Sequence, residues 1–236
     1  MIQVLTSFTL EIDDPRIAAA EILEQLDPEH TLLKNSAGLL FCSLDFVLSG
    51  AAEAVCKALP FEVIGSTTQG IAVPGAMDEN MLAVMVLTSD EVSFNVGVSD
   101  PLGTDGENRV GELYKRLSGD RKFSPSLMLI CHANPDCFPG DKTVEILDRI
   151  SGGVPLFGIN ALNETLSNRI PYIEENGSLY CGSAIAKGAV LKLVSQIQEE
   201  VLHDSEHLAE LIKKEDCKKN HLIFSCFGRS APLVDL

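Results

Sequence analysis

The chain has 236 residues, 45% of them hydrophobic, and a formal net charge of −16. That hydrophobic share can bury a sizeable core and excludes global disorder. A field of that sign repels phosphate backbones and anionic bilayers, so neither nucleic acid nor a membrane is expected as a partner.

The seven cysteines form an odd set without a C-x-x-C pair, and most lie inside apolar runs. This is the usage of a reducing compartment rather than a disulfide scaffold. The N-terminus lacks a basic stretch followed by a long apolar one, and no apolar run is long enough to span a bilayer. A cytoplasmic location is expected.

Along the chain, strand-like and helix-like segments alternate. Ile2–Leu10 reads as a first strand. Asp14 then caps a helix that has Pro15 at its first position and runs to about Leu26. Gly38–Ser43 is a short apolar run and reads as a buried strand. A helix from about Asp45 to Leu59 follows. Glu62–Ile64 is a short strand that leads into a Gly- and Thr-rich turn.

Met81–Leu87 is continuously apolar, as in a strand covered on both faces. Val92, Phe94, Val96 and Val98 alternate with polar or small residues and predict another strand, reached through a turn at Ser89-Asp90. Val110, Leu113, Tyr114 and Leu117 form a helical stripe. Leu127–Cys131 predicts a buried strand, and Val144, Leu147 and Ile150 line a further helix. Beyond Gly152-Gly153, Asn176-Gly177 predicts a type I′ hairpin between strands near 169–174 and 179–186. The polar stretch Ser205–Asn220 reads as peripheral. The expected fold is α/β (or α+β): a mixed β-sheet with flanking helices and a β-hairpin in the C-terminal half.

Four motifs bear on chemistry. Gly65-Ser66-Thr67-Thr68-Gln69-Gly70 has the glycine spacing of a phosphate loop, but Ile71-Ala72 stands where Lys and Ser/Thr belong. What remains is a loop of hydroxyls and N–H groups at a strand end, where α/β sheets bind ligands. Cys131-His132-Ala133-Asn134-Pro135-Asp136-Cys137 lacks zinc spacing and reads as a turn. Because it also leaves a strand end, His132 and Asn134 become candidate pocket residues.

His203-Asp204-Ser205-Glu206-His207 matches H-x-x-E-H, an inverted zinc-protease signature. On a helical wheel, however, Val201, Ser205, Leu208 and Ile212 share one side, and His203, His207, Glu210 and Lys214 share the other. The imidazoles then face water, whereas a catalytic zinc sits in a shielded cleft. A zinc hydrolase at His203 and His207 is therefore only the weakest of the alternatives. Cys226 and Arg229 stand too close for a phosphatase loop, which needs five residues between them; a core thiol beside a ligand-binding arginine fits better.

Several segments together resemble the FIST family. Phe61-Glu62-Val63-Ile64-Gly65-Ser66-Thr67-Thr68-Gln69-Gly70-Ile71 is similar to its apolar strand followed by Gly-Cys/Ser-Ser/Thr-Thr-x-Gly. Val154-Pro155-Leu156-Phe157-Gly158-Ile159-Asn160-Ala161 resembles its second glycine-bearing strand. The Asn176-Gly177 segment resembles the stretch that closes its N-terminal region, and Leu222–Arg229 a segment near the end of its C-terminal region. The resemblance divides the chain into a FIST N-like α/β domain over 1–193 and a much shortened C-terminal helix–strand remnant over 194–236.

It also implies a sensory, non-catalytic protein that binds a small molecule, such as an amino acid, and passes the signal to a kinase or cyclase. Haem is a further ligand class in the family, and recruitment of substrates to ubiquitin ligases is the alternative role, a protein-interaction module. No catalytic residue carries over. The candidate ligand-binding residues are Gly65, Ser66, Thr67, Thr68, Gly70, His132, Asn134, Gly158, Asn160 and Arg229.

Overall fold

A computed structural model describes residues 1–119, 125–132, 138–160, 172–173, 179–180 and 210. The chain divides into two compact units, Met1–Ser167 and Asn168–Leu236. In the first, β1 (Gln3–Thr9) leads to α1 (Pro15–Leu26) and the single-turn α2 (Pro28–Thr31). Then come β2 (Asn35–Cys42), α3 (Leu44–Leu48), α4 (Ala51–Ala58), β3 (Glu62–Thr67), β4 (Ile71–Val73), β5 (Ala76–Asp78) and β6 (Leu82–Ser89). After a 3₁₀ turn at Gly103–Asp105 follow α5 (Gly106–Ser118), β7 (Met128–His132), α6 (Gly140–Ser151) and β8 (Leu156–Asn160).

The sheet order is β1-β6-β2-β3, with β6 antiparallel to both neighbours and β2 parallel to β3. A second parallel pair, β7 with β8, lies with Cα atoms of β7 within 8 Å of β3. Helices and strands of mixed direction make this an α/β fold. Both parallel pairs are closed through helices, as parallel strands require. Helices α1 and α4 cover one face of the main sheet. Ala18, Ile22 and Leu26 of α1 and Val55 of α4 pack with Leu40, Cys42, Leu82, Val84 and Val86, with Phe46 fully buried among them.

Helix α1 matches its signals residue for residue. Asp14 accepts a hydrogen bond from the Arg16 N–H at 2.9 Å, and Pro15 opens the helix. Arg16, through its side-chain hydrogen bond first, also holds the Asp14 carboxyl below the usual carboxylate range.

Other expectations are corrected. The single helix over 45–59 is two, broken at Gly50, whose φ of 84° is left-handed and suits glycine. Strand β3 does not end at Ile64 but runs on through Gly65, Ser66 and Thr67. Residues 92–98 form no strand. Ser89 closes β6, and its Oγ takes the N–H groups of Glu91 and Val92, each at 3.1 Å. The segment then follows α5, where Arg116 donates to the Val98 carbonyl at 2.7 Å and Asn95 to the Leu117 carbonyl at 2.6 Å. Helix α6 turns by about one position from its expected stripe: Thr143 and Ile146 are buried and Val144 is exposed.

A hairpin without a strong apolar signal, β4–β5, turns at Pro74-Gly75, with Val73 opposite Ala76. In the second unit, β9 (Tyr172–Ile173) pairs antiparallel with β10 (Leu179–Tyr180), Ile173 facing Leu179. These strands fall within the segments expected to pair, and the Asn176-Gly177 turn itself lies outside the described residues.

Candidate site at the carboxyl ends of the parallel strands

Gly65 and Gly158 occupy equivalent places in the two parallel pairs. Gly65 is the register partner of Leu40, and Gly158 of Ile130. A Cβ on either would come nearer than 3.0 Å to the carbonyl oxygen of that partner. Both glycines are required by strand approach, before any ligand is considered.

Past them the strands turn polar. Ser66 lies beside Phe41 and Thr67 beside Cys42, and the Thr68 N–H donates to the Cys42 carbonyl at 2.9 Å. By strand alternation, Ser66 points to the face opposite Val63 and Thr67 to the face that Val63 shares with the core. The Ser66 Oγ is buried and has no hydrogen-bond partner among the described residues. Thr68, off the strand end, points its hydroxyl at the Gly70 carbonyl at 3.5 Å, and Gly70 is exposed with open space around it.

In the second pair, His132 ends β7 with Asn160 of β8 as its register partner. His132 is 6% exposed, and among the described residues neither ring nitrogen has a hydrogen-bond partner. Burial lowers its pKa, so the imidazole is neutral at neutral pH, with one nitrogen to donate and one to accept. The adjacent Cys131 thiol is pushed up by burial and is a poor nucleophile.

The structure thus brings Ser66, Thr67 and Thr68 to the end of one parallel pair, and His132 and Asn160 to the end of the other. Asn134 and Arg229 lie outside the described residues, as do His203 and His207. Two groups were missed in the sequence. Ser43, directly after β2, and Thr143, in the first turn of α6, are buried, and their hydroxyls have no partner among the described residues. Their positions at a strand end and a helix start were readable; their burial was not. Among the described residues no group of three His, Cys, Asp or Glu side chains could hold a metal ion, and no helix is long and apolar enough to cross a membrane.

The neutral His132 sets a pH dependence. Its folded-state pKa lies below the ordinary 6.5, so the unfolded chain binds the proton first as pH falls. Its contribution to stability is complete above about pH 6.5 and declines below it. Thermal melts from about pH 7.5 to 5.5 should show a steeper loss for the native chain than for His132→Leu. Parallel slopes would show that the imidazole is accessible to protons in the fold.

An α/β domain with two parallel strand pairs, each ending in unengaged polar groups, is the class that fold and site define. The family model for the FIST N domain matches residues 36–198, and the chain belongs to the FIST family, a family of sensory domains. No curated protein and no solved structure matches the chain.

Proposed function

We propose that this chain is a non-catalytic sensor that binds a small molecule, an amino acid being the favoured class, at the carboxyl ends of its parallel strands, and relays binding to a signalling protein. One observation carries the reading: the Ser66 hydroxyl and both His132 ring nitrogens are buried at those ends without a partner among the described residues. Each such orphan costs about 1–3 kcal/mol, and a ligand that supplies the missing hydrogen bonds recovers it. A neutral imidazole and a hydroxyl each donate and accept, which suits the carboxylate and ammonium of an amino acid. Sensory function in the family supports the same reading.

His132 also fits haem in its chemistry, since a neutral ring nitrogen with no partner among the described residues could ligate iron. Bound haem would supply a gas-binding iron, and His132 would hold it.

The test is a thermal-shift screen of the free amino acids and of haem on the native chain, His132→Leu and Ser66→Ala. A ligand at a hundred times its Kd should stabilise the native chain by about 2.7 kcal/mol. The variants should keep or gain stability without ligand and lose the response. Haem binding would show as a Soret band that His132→Ala removes. A ligand response unchanged in both His132→Leu and Ser66→Ala would sink the assignment.

A further inference from the structure

Strand β2 keeps its extended path through Ser43, whose φ and ψ are −67° and 161° and whose N–H donates to the Met81 carbonyl at 3.2 Å. Strand β3 likewise stays beside β2 as far as Thr68, whose N–H reaches the Cys42 carbonyl. Leu40 and Cys42 point into the core under α1 and α4, so Phe41 and Ser43 point to the opposite face of the sheet. Ser66, the register partner of Phe41, shares that face. Ser43 and Ser66 are therefore neighbours on it, about 8 Å apart between Cα atoms by strand spacing and rise.

Neither hydroxyl is taken up by the fold as described. Both Oγ atoms are buried without a partner among the described residues, and Ser43 as a whole is 8% exposed. Ser43 stands at the N-cap of α3, where serine commonly accepts a helix N–H, yet its side chain makes no such bond. The same face beside it is apolar, with Met81 and Ala83 buried there. A hydroxyl in such surroundings is costly unless something bonds it.

We propose that Ser43 and Ser66 together bind the carboxylate of the small molecule, one hydroxyl donating to each of its oxygens. The proposal rests on reading this strand end as the ligand site; it adds Ser43 to that site and fixes which end of the ligand lies there. Two oxygens on one carbon span hydroxyls at this separation with a hydrogen bond of about 2.7 Å at each. A single negative charge suits neutral donors. A phosphate calls for the lysine whose place in this loop Ile71 takes.

Thermal melts of the native chain, Ser43→Ala, Ser43→Cys and Ser66→Ala test this with propionate, the free amino acids, their amides and inorganic phosphate. Without a probe, both alanine variants should melt at or above the native temperature, because no hydrogen bond is lost. A free acid should raise the native melting temperature, whereas its amide and phosphate should not. Each alanine variant should raise the Kd of the acid about tenfold or more. Ser43→Cys keeps the size of the side chain and loses the strong donor, so it should act as Ser43→Ala does. A propionate response that needs both serines, with none to any amino acid, keeps the carboxylate site and removes the amino acid as its ligand. An acid response that needs Ser66 and His132 but not Ser43 overturns the proposal and leaves the sensor reading standing. So does an amide or phosphate that binds as tightly as the acid. A lower ligand-free melting temperature in Ser43→Ala overturns it too, since the hydroxyl would then already have a partner. No response to any probe overturns both.

Discussion

Gly65→Ala and Gly158→Ala are each expected to lose much of the stability of the native chain. Neither site has a left-handed backbone; the demand is for space. The added methyl would sit within 3.0 Å of the Leu40 or Ile130 carbonyl oxygen, and those atoms belong to a neighbouring strand's backbone. A side chain in that place could rotate away, but a ladder carbonyl cannot move without parting its strands. In β2–β3 that ladder spans Ala37–Cys42 against Glu62–Thr67. The expected cost exceeds about 4 kcal/mol, a large fraction of the stability of an ordinary domain. Urea unfolding of the purified variants measures it. Gly70→Ala is the control. Nothing lies within 4 Å of its added methyl, so its stability should stay within about 0.5 kcal/mol of the native chain, or rise slightly. A Gly65→Ala protein with native stability would show that β2 and β3 do not approach as described.

Phe46→Ala should lose about 3–5 kcal/mol in the same measurement. Phe46 is 0% exposed and packs where α1, α4 and the sheet meet, among Ile22, Leu26, Leu40 and Val55. Its removal forfeits apolar burial and leaves a cavity that helices pinned on a sheet cannot collapse to fill. The adjacent Val47, 50% exposed, should tolerate alanine to within about 0.5 kcal/mol. Equal losses at the two positions would contradict the burial pattern of α3.

Much of the fold was legible because it is written in local chemistry. The Asp14 cap with Pro15 behind it marked the start of α1, and unbroken apolar runs marked β2, β6 and β7. Where reading failed, the deciding partner lay far along the chain. The alternation at 92–98 is that of a strand, yet a strand exists only if a neighbour accepts its hydrogen bonds. Here Ser89, Asn95 and Arg116 supply the partners instead, and the segment lies along α5. Three apolar residues pointed to one stripe on α6, but packing buried the adjacent Thr143–Ile146 line, because a helix rotates to suit what it faces. The Pro74-Gly75 turn was a readable signal beside strands too short to register.

The candidate site divides along the same line. Composition, the alternation of strands and helices and the FIST motifs were settled by residue identity and short spacings. They were enough to mark Gly65–Gly70, His132 and Gly158–Asn160 as strand ends. Tertiary structure decided what each residue is for. It turned Gly65 from a loop glycine, and Gly158 from a strand glycine of no assigned contact, into contact points between strands, and it left His132 buried with neither nitrogen partnered among the described residues. Burial and hydrogen-bond satisfaction depend on which distant segments meet, and no local pattern of residues encodes that.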